Sequence, residues 1–194
     1  MGGLTAVLAS RNAHKARELE VLLPGWAIDI LDAEDYPPED GATYYDNALI
    51  KASFGRLRAP DDRWVIGEDS GLEVAALGGR PGIESARYAP EGAPAIAKLL
   101  GELGDETCRS ARFVSELVAI APDSTILRGS GVLEGHIANE SSGVEGFGYD
   151  PVFVPAGEKR TVAELGDSWK EQSSHRARAA GALREAFDRR GVGA

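Results

Sequence analysis

An apolar strand that leads directly into two adjacent carboxylates constrains this chain more than any other feature. Residues 64–72 read WVIGEDSGL, so Glu68 and Asp69 follow the apolar residues at once. Ligands of α/β proteins bind where buried strands end, and neighbouring strand residues point to opposite faces. We expect one acid to face a ligand and the other to lie behind or beside it. Two hard oxygen donors there suit Mg²⁺ or Mn²⁺. Taken alone, however, the segment is explained at least as well by an acidic turn after a strand.

The composition restricts the class of protein and its partners. The chain has 194 residues, 43% of them hydrophobic, which is enough for a single domain, 1–194, with a buried core. The net charge of −10 argues against a nucleic-acid partner, because neutralising phosphates needs a surplus of Lys and Arg. The single cysteine, Cys108, excludes an internal disulfide. With neither a membrane-spanning apolar run nor a signal-type pattern, we expect a cytoplasmic protein.

The order of the predicted elements indicates an α/β protein with a mixed sheet. Helices alternate with strands in the first half of the chain, and a long hairpin comes later. The predicted helices cover residues 13–23, 43–58, 93–103 and 174–189, the second with Thr43 as N-cap and Asp46 as its capping-box acid. The predicted strands cover residues 4–9, 26–31, 64–68, 73–77, 111–121, 125–137 and 152–154, with a turn at residues 69–71.

Residues 10–15, with the sequence SRNAHK, lie between the first strand and the first helix. Backbone N–H groups at a helix N-terminus bind anions, and Lys15 would neutralise phosphate charge. The Walker A pattern is absent. A plain N-cap explains Ser10 or Asn12 alone, whereas Lys15 and Arg11 together favour a phosphate site.

Three later segments suit the remaining parts of a metal-bound nucleotide. Glu39 stands just before the second helix, where it would reach the same metal as Asp69; a solvated acidic loop is an equal reading. Phe147 lies between two glycines, which favours stacking on a flat base. His175 and Arg176 bring donors that suit the carbonyl edge of a base.

These segments, in this order, resemble the non-canonical purine nucleoside triphosphate pyrophosphatase family, also called inosine triphosphatases or XTP/dITP diphosphatases. The matching stretches are SRNAHK at 10–15, Glu39 with Gly41 and 43–48, DSGL at 69–72, 81–88, GFGYDP at 146–151 and SHR at 174–176. Two residues depart from the family's pattern. Glu68 replaces the first acid of the usual Asp-Asp-Ser-Gly, and Arg11 occupies a position that often holds a small residue.

The resemblance implies an elongated two-lobed fold with a central mixed β-sheet flanked by helices, an active site in the cleft between the lobes, and a homodimer. It implies hydrolysis of ITP, dITP and XTP to the monophosphate and pyrophosphate with Mg²⁺, or Mn²⁺. It assigns the metal to Glu39 and Asp69, and catalysis to Asp69, as proton acceptor, with Glu68. The implied substrate contacts are Ser10, Arg11, Asn12, Ala13, His14, Lys15, Ser70, Phe147, Gly148, Tyr149, Asp150, Lys170, His175 and Arg176.

Selectivity is expected in the base pocket. Deaminated purines carry a 6-oxo acceptor where adenine carries an amine, so donors from His175 or Arg176 favour the oxo form. GTP shares this oxo group, so its exclusion must arise near the 2-position. Two alternatives stay open: a pyrophosphatase for a different damaged nucleotide on the same fold, and a nucleotide sensor without turnover. The intact set of Glu39, Asp69 and Lys15 argues against a sensor.

Overall fold

The computed structural model describes residues 4–191 and has an α/β architecture. The strands are β1 (Leu4–Leu8), β2 (Trp26–Ile30), β3 (Trp64–Val74), β4 (Ser110–Ile120), β5 (Ile126–Ile137) and β6 (Phe153–Pro155). The helices are α1 (Ala13–Leu22), α2 (Tyr44–Arg56), α3 (Ala93–Leu103), α4 (Val162–Leu165), α5 (Asp167–Ser173) and α6 (His175–Arg189).

The strands of this described part form one six-stranded sheet in the order β2-β1-β3-β4-β5-β6. Strand β1 pairs in parallel with both β2 and β3, whereas β5 and β6 are antiparallel. The prediction of an α/β protein with a mixed sheet is therefore confirmed. None of the helices between residues 4 and 191 is long and apolar enough to cross a membrane.

Strand β3 corrects one prediction. It is continuous from Trp64 to Val74, so residues 69–71 do not form a turn, and Ala75–Leu77 is a 3-10 turn instead of a strand. Burial on both sides of β3 overrides the turn preference of Ser70 and Gly71, since the neighbours Gly71 and Leu72, which face opposite sides, are both buried. The two acids consequently lie inside a strand and not after its end.

The helices α4 and α5 were not predicted from the sequence. Both are too short for hydrophobic periodicity to reveal them. The start of α4 nevertheless carries a signal, because Thr161 and Glu164 form a capping box of the Ser/Thr-x-x-Glu type. The capping box predicted for α2, with Thr43 and Asp46, is confirmed.

The chain divides into two compact units, each built from separate stretches of sequence. The described part of unit 1 covers residues 4–69, 115–131 and 176–191. Unit 2 contains Ser70–Val114 and Val132–His175. The expectation of one domain over residues 1–194 stays a prediction.

In unit 1, strand alternation sorts the side chains of the sheet onto two faces. Ile66 and Leu117 pack in one core cluster with residues of α1 and α6. Val118 packs on the opposite face, in a second cluster with Ala48 and Ala52 of α2. Within each of these strands, polar residues at even and at odd positions therefore meet different helices. The even positions of β3 share a face with the odd positions of β4.

The core of unit 2 is one cluster in which α3 covers residues from several strands. Leu72 of β3, Leu99 of α3 and Phe153 of β6 are all fully buried in it. The ring of Phe113 lies 4.4 Å from that of Phe153. This packing supports the loops of unit 2 that carry the predicted base-binding residues.

Candidate active site

The adjacent acids Glu68 and Asp69 lie on opposite faces of the sheet. Glu68 shares the face of Ile66 and meets side chains from α1 and α6. Asp69 lies on the other face and meets α2. The side chain of Glu68 is 0% exposed and that of Asp69 is 5% exposed. The predicted separation of the two carboxylates is confirmed.

Lys51 of α2 joins the two acids that were predicted to share a metal. Its Nζ lies 3.0 Å from Oδ1 of Asp69 and 2.8 Å from Oε1 of Glu39. Asn47, one helical turn earlier, donates through Nδ2 to Oδ2 of Asp69 at 3.1 Å. Its Oδ1 accepts the backbone N–H of Gly41 at 2.9 Å. The loop that carries Glu39 and strand β3 are thus both tied to one face of α2.

Gly67 allows this helix to approach the strand closely. A Cβ atom at this position would lie 2.0 Å from the carbonyl oxygen of Ala48 and 2.6 Å from the backbone nitrogen of Ala52. No side chain fits there without moving backbone. The glycine before the two acids therefore sets the distance between Asp69 and α2.

Burial makes Asp69 a stronger proton acceptor than an ordinary aspartate. Burial raises the pKa of Asp69, and the charges of Lys51 and Lys15 offset only part of this effect. Burial lowers the pKa of Lys51, but the charges of Asp69 and Glu39 outweigh burial and raise it overall. Lys51 therefore stays an ammonium ion beside the two carboxylates.

Glu68 is surrounded by donors on the opposite face. Lys15 of α1 forms an ion pair with its Oε2 at 2.5 Å. Arg176 donates to Oε1 through Nη2 at 3.0 Å and through Nε at 3.3 Å. The hydroxyl of Ser115 on the neighbouring strand β4 donates to the same oxygen at 3.2 Å. Arg176 also donates through Nη1 to Glu18 of α1.

These contacts keep Glu68 ionised. Burial alone would raise the pKa of its carboxyl group. The charges of Lys15 and Arg176 outweigh burial and hold the pKa of Glu68 well below its usual range. Glu68 is therefore a fixed negative charge that binds two cations.

The residues present fit a divalent metal ion that completes its shell with substrate oxygens. Glu39 and Asp69 reach the same ammonium group, so their carboxylates converge on one cation in this structure. Within residues 4–191, no group of three or more His, Cys, Asp or Glu side chains has the arrangement of a metal site. Mg²⁺ commonly takes one or two carboxylates together with phosphate oxygens and water.

The turn at residues 10–15 has the N-cap arrangement that the sequence left open. Asn12 accepts through Oδ1 from the backbone N–H groups of His14, at 2.9 Å, and Lys15, at 3.3 Å. Ser10 accepts from the backbone N–H of Asn12 at 3.1 Å. These two helix N–H groups already have a partner, so the positive charge that this turn offers comes from the side chain of Lys15.

The remaining residues of the turn point elsewhere or are open to solvent. Arg11 donates to the carbonyl oxygen of Glu34, and its guanidinium lies 5.0 Å from the centre of the Tyr36 ring. Ala13 and His14 are exposed. The structure therefore holds Arg11 against the loop that follows β2, while Lys15 lies beside Glu68.

In unit 2, Asp150 organises the Phe147 loop. Its Oδ2 accepts from the backbone N–H of Phe147 at 2.9 Å and pairs with Nζ of Lys170 at 2.8 Å. The same ammonium lies 4.5 Å from the centre of the Phe147 ring. Gly146 has φ +76°, and a Cβ there would lie 2.2 Å from Oδ2 of Asp150. The loop thus holds the half-buried ring of Phe147 beside a paired ammonium group.

Other predicted substrate contacts in unit 2 pack within it. The buried Tyr149 donates its hydroxyl to the carbonyl oxygen of Ser85 at 3.2 Å, and burial raises the pKa of that hydroxyl to about 12. The ring of His175 stacks on Phe113 with centroids 4.7 Å apart. Ser70 is half-buried within β3, and Gly148 follows Phe147 in its loop.

Sequence reasoning missed Lys51 and Ser115. Lys51 could have been identified from the sequence, because it lies four residues after Asn47 on a helix whose N-cap was predicted. Residues four apart share a helix face. Ser115 had a weaker signal, a small polar residue within the apolar run of β4. Neither position could be connected to an acid without knowing which strands are neighbours.

Solved structures of known proteins share the α/β fold described above. A relative from Synechococcus, named dITP/XTP pyrophosphatase, is 41% identical over 186 residues, which cover 94% of this chain and 89% of the relative. The structure of the Staphylococcus aureus Ham1 protein has a TM-score of 0.82 and 36% identity, covering 96% of this chain and 99% of that one. The structure of a nucleoside-triphosphatase / dITP/XTP pyrophosphatase from Mycobacterium abscessus has a TM-score of 0.71 and 39% identity, covering 93% of this chain and 97% of that one.

The model of the Ham1 family matches residues 6–186. The chain therefore belongs to the Ham1 family, and the family predicted from its motifs is confirmed.

Proposed function

We propose that this protein is a hydrolase that converts ITP, dITP and XTP to the nucleoside monophosphate and pyrophosphate, and so removes deaminated purines from the nucleotide pool. The observation that carries the proposal is the convergence of Glu39 and Asp69 on one cation, the ammonium of Lys51. The names of the relatives from Synechococcus and Mycobacterium abscessus support the same substrate class.

Asp69 is the proposed proton acceptor for the attacking water. Its raised pKa suits general-base work, since a base is most effective when its pKa approaches the working pH. The amide of Asn47 and the ammonium of Lys51 hold its two oxygens from different sides. The carboxylate is therefore fixed in direction before any substrate binds.

Glu39 and Asp69 are the residues that would hold Mg²⁺, with Mn²⁺ as a substitute. When bound, the ion would neutralise charge on the phosphate oxygens. Lys15 approaches from the opposite face of the sheet, yet its charge acts on Asp69. It would bind the phosphates and offset the charge of the departing pyrophosphate. Glu68 supports this role, because its own ion pair holds the Lys15 ammonium in place.

The base would stack on Phe147, and donors from His175 and Arg176 would bind the 6-oxo group. An amine placed against these donors would leave buried polar groups unpaired, at a cost of about 1–3 kcal/mol each. Arg176 has five N–H hydrogens. Its bonds to Glu68 and Glu18 fix the plane of the guanidinium.

The test is a steady-state panel of ITP, dITP, XTP, ATP and GTP with Mg²⁺ that measures pyrophosphate and orthophosphate separately. We expect pyrophosphate, with kcat/KM for the deaminated substrates far above the values for ATP and GTP. Equal rates for all five substrates, together with a faster rate for another damaged nucleotide, would favour the alternative of a pyrophosphatase for that nucleotide. Binding without any product would favour a sensor, and orthophosphate would mean that the cleavage position is wrong.

We also propose that the protein works as a homodimer in the cytoplasm on free nucleotides, with neither nucleic acid nor membrane as a partner. The net charge of −10 supports the exclusion of nucleic acid. Sedimentation of the purified protein tests the dimer, since a monomeric mass at micromolar concentration would contradict it.

A further inference from the structure

Ser115 places a hydroxyl group against the buried acid that holds Lys15. We propose that Ser115 is a positioning residue for phosphate binding: its hydroxyl orients the carboxylate of Glu68, and this carboxylate in turn orients the ammonium of Lys15. The inference rests on the proposed function, because it assumes that Lys15 binds the phosphates of the substrate.

The two oxygens of Glu68 have different partners. Oε1 accepts from Ser115 at 3.2 Å and from two nitrogens of Arg176 at 3.0 and 3.3 Å. Oε2 faces Lys15, with Nζ at 2.5 Å. A carboxylate turns readily about its last bond, because that torsion has broad minima. Bonds from two directions to Oε1 oppose this rotation and leave Oε2 directed at Lys15.

The position of Ser115 in the sheet allows this contact. Strands β3 and β4 are hydrogen-bonded neighbours, and Ser115 shares the face of Leu117, which packs with α1 and α6. Both Ser115 and Glu68 are 0% exposed. With water excluded from the pair, a hydroxyl that donates to an ionised carboxylate has a larger effect than it would have at the surface.

Unit 1 contains a serine with similar partners on its other face; Ser130 itself is exposed, whereas Ser115 is fully buried. Ser130 donates to Oε1 of the buried Glu116 at 2.7 Å, and Arg128 donates to both oxygens of that carboxylate at 2.8 Å. The chemistry is the same, a serine and an arginine on a buried glutamate in the β4–β5 region. Glu116 has no predicted role with substrate, so Ser130→Ala controls for the structural effect of losing such a hydroxyl.

The experiment compares wild type, Ser115→Ala and Ser130→Ala by their kinetics with ITP and by inhibition with inorganic pyrophosphate and with inosine monophosphate. For Ser115→Ala we expect KM for ITP and Ki for pyrophosphate to rise roughly 3- to 10-fold, the loss that corresponds to one hydrogen bond of typical strength. Its kcat and its Ki for the monophosphate should stay within about twofold, since those depend on other contacts. Ser130→Ala should change none of the four constants, even where it lowers the melting temperature.

Ser115→Cys retains the volume of the side chain with a weaker donor, and should give intermediate constants. It replaces Ser115→Ala if the alanine variant does not fold. An unchanged Ki for pyrophosphate in Ser115→Ala, or an equal rise for the monophosphate, would overturn the inference. Calorimetric binding of pyrophosphate reports on Ser115 even if wild type fails to cleave ITP, so this failure and a failure of the proposed function are distinguishable.

Discussion

Glu68 and Asp69 are adjacent in β3, yet their carboxylates lie on opposite faces of the sheet and bind different lysines. Lys15 of α1 pairs with Glu68 at 2.5 Å, and Lys51 of α2 pairs with Asp69 at 3.0 Å. Their surroundings move the two pKa values apart: burial dominates at Asp69 and raises its pKa, whereas the cations around Glu68 outweigh burial and lower its pKa. Neighbouring acids with pKa values moved apart take different roles. Glu68 is suited to holding cations, and Asp69 to accepting a proton.

Replacing the proposed base should remove turnover while leaving the fold intact. Asp69→Asn preserves the shape of the side chain and its contact with Asn47, and Lys51 keeps its bond to Glu39. We expect kcat for pyrophosphate release from ITP to fall about 10²- to 10⁴-fold, the usual contribution of a general base. Thermal unfolding of the variant serves as the control. A decrease of less than about tenfold would mean that another group accepts the proton.

Glu68→Gln should destabilise the protein in a manner that depends on pH. At neutral pH the variant removes the charge that Lys15 pairs with and one of the two carboxylates that Arg176 pairs with, which we expect to cost about 3–5 kcal/mol. Because the pKa of Glu68 is lowered by folding, its contribution is present above the unfolded pKa and is lost as pH falls through the folded pKa.

The difference in free energy of unfolding between wild type and Glu68→Gln should therefore be largest at neutral pH and shrink below about pH 4. Urea unfolding at several pH values measures it. A difference that is constant over this range would show that Glu68 is not ionised in the folded protein.

Lys51→Met should shift the pH dependence of catalysis. The charge of Lys51 lowers the pKa of Asp69 against the effect of burial, so its removal raises that pKa further. We expect the acidic limb of the kcat/KM profile for ITP to move to higher pH. Lys170→Met is the control, because Lys170 pairs with Asp150 in unit 2. An acidic limb that moves equally in both variants would show that Lys51 has no specific effect on the pKa of the titrating group.

Gly67→Ala should lower both stability and activity. Its Cβ would lie 2.0 Å from the carbonyl oxygen of Ala48, so α2 must move away from β3 and carry Lys51 with it. We expect a loss of about 1–3 kcal/mol in chemical denaturation, typical of overpacking. Gly101→Ala, in α3 with no atom within 4 Å of the added Cβ, should instead stabilise by about 0.5–1 kcal/mol. Wild-type stability in Gly67→Ala would contradict the close approach.

Phe147→Ala tests the stacking of the base. Loss of the ring should raise KM for ITP about 5- to 150-fold, the range that corresponds to 1–3 kcal/mol per stacked base. Phe147→Tyr keeps a ring and should stay near the wild-type value. If the alanine variant binds ITP as well as wild type does, the ring beside Lys170 stabilises the loop and does not stack on the base.

Local sequence signals predicted much of this fold. Thr43 and Asp46 identified the start of α2 because a capping box needs only neighbours in sequence. The motifs also identified the family. The turn expected at residues 69–71 was wrong because the preference of Ser70 and Gly71 depends on what covers the strand, and here both sides of β3 are buried.

The partners of the acids could not be predicted in the same way. Lys51 meets Glu39 and Asp69 from positions 12 and 18 residues away, and Arg176 meets Glu68 across 108 residues. Such contacts depend on strand order and on the approach of α2 at Gly67. Strand alternation correctly placed the two acids on opposite faces, but it could not show which helix covers each face.

The central claim is that Glu39 and Asp69 share a divalent ion bound to the triphosphate. The most direct measurement is pyrophosphate release from ITP as a function of Mg²⁺ concentration, for wild type and Glu39→Gln. We predict no release in chelator, and at least a tenfold higher Mg²⁺ requirement in Glu39→Gln, since one of two protein ligands loses its charge. Release from ITP without any divalent ion, or the same Mg²⁺ requirement in both proteins, would contradict the claim.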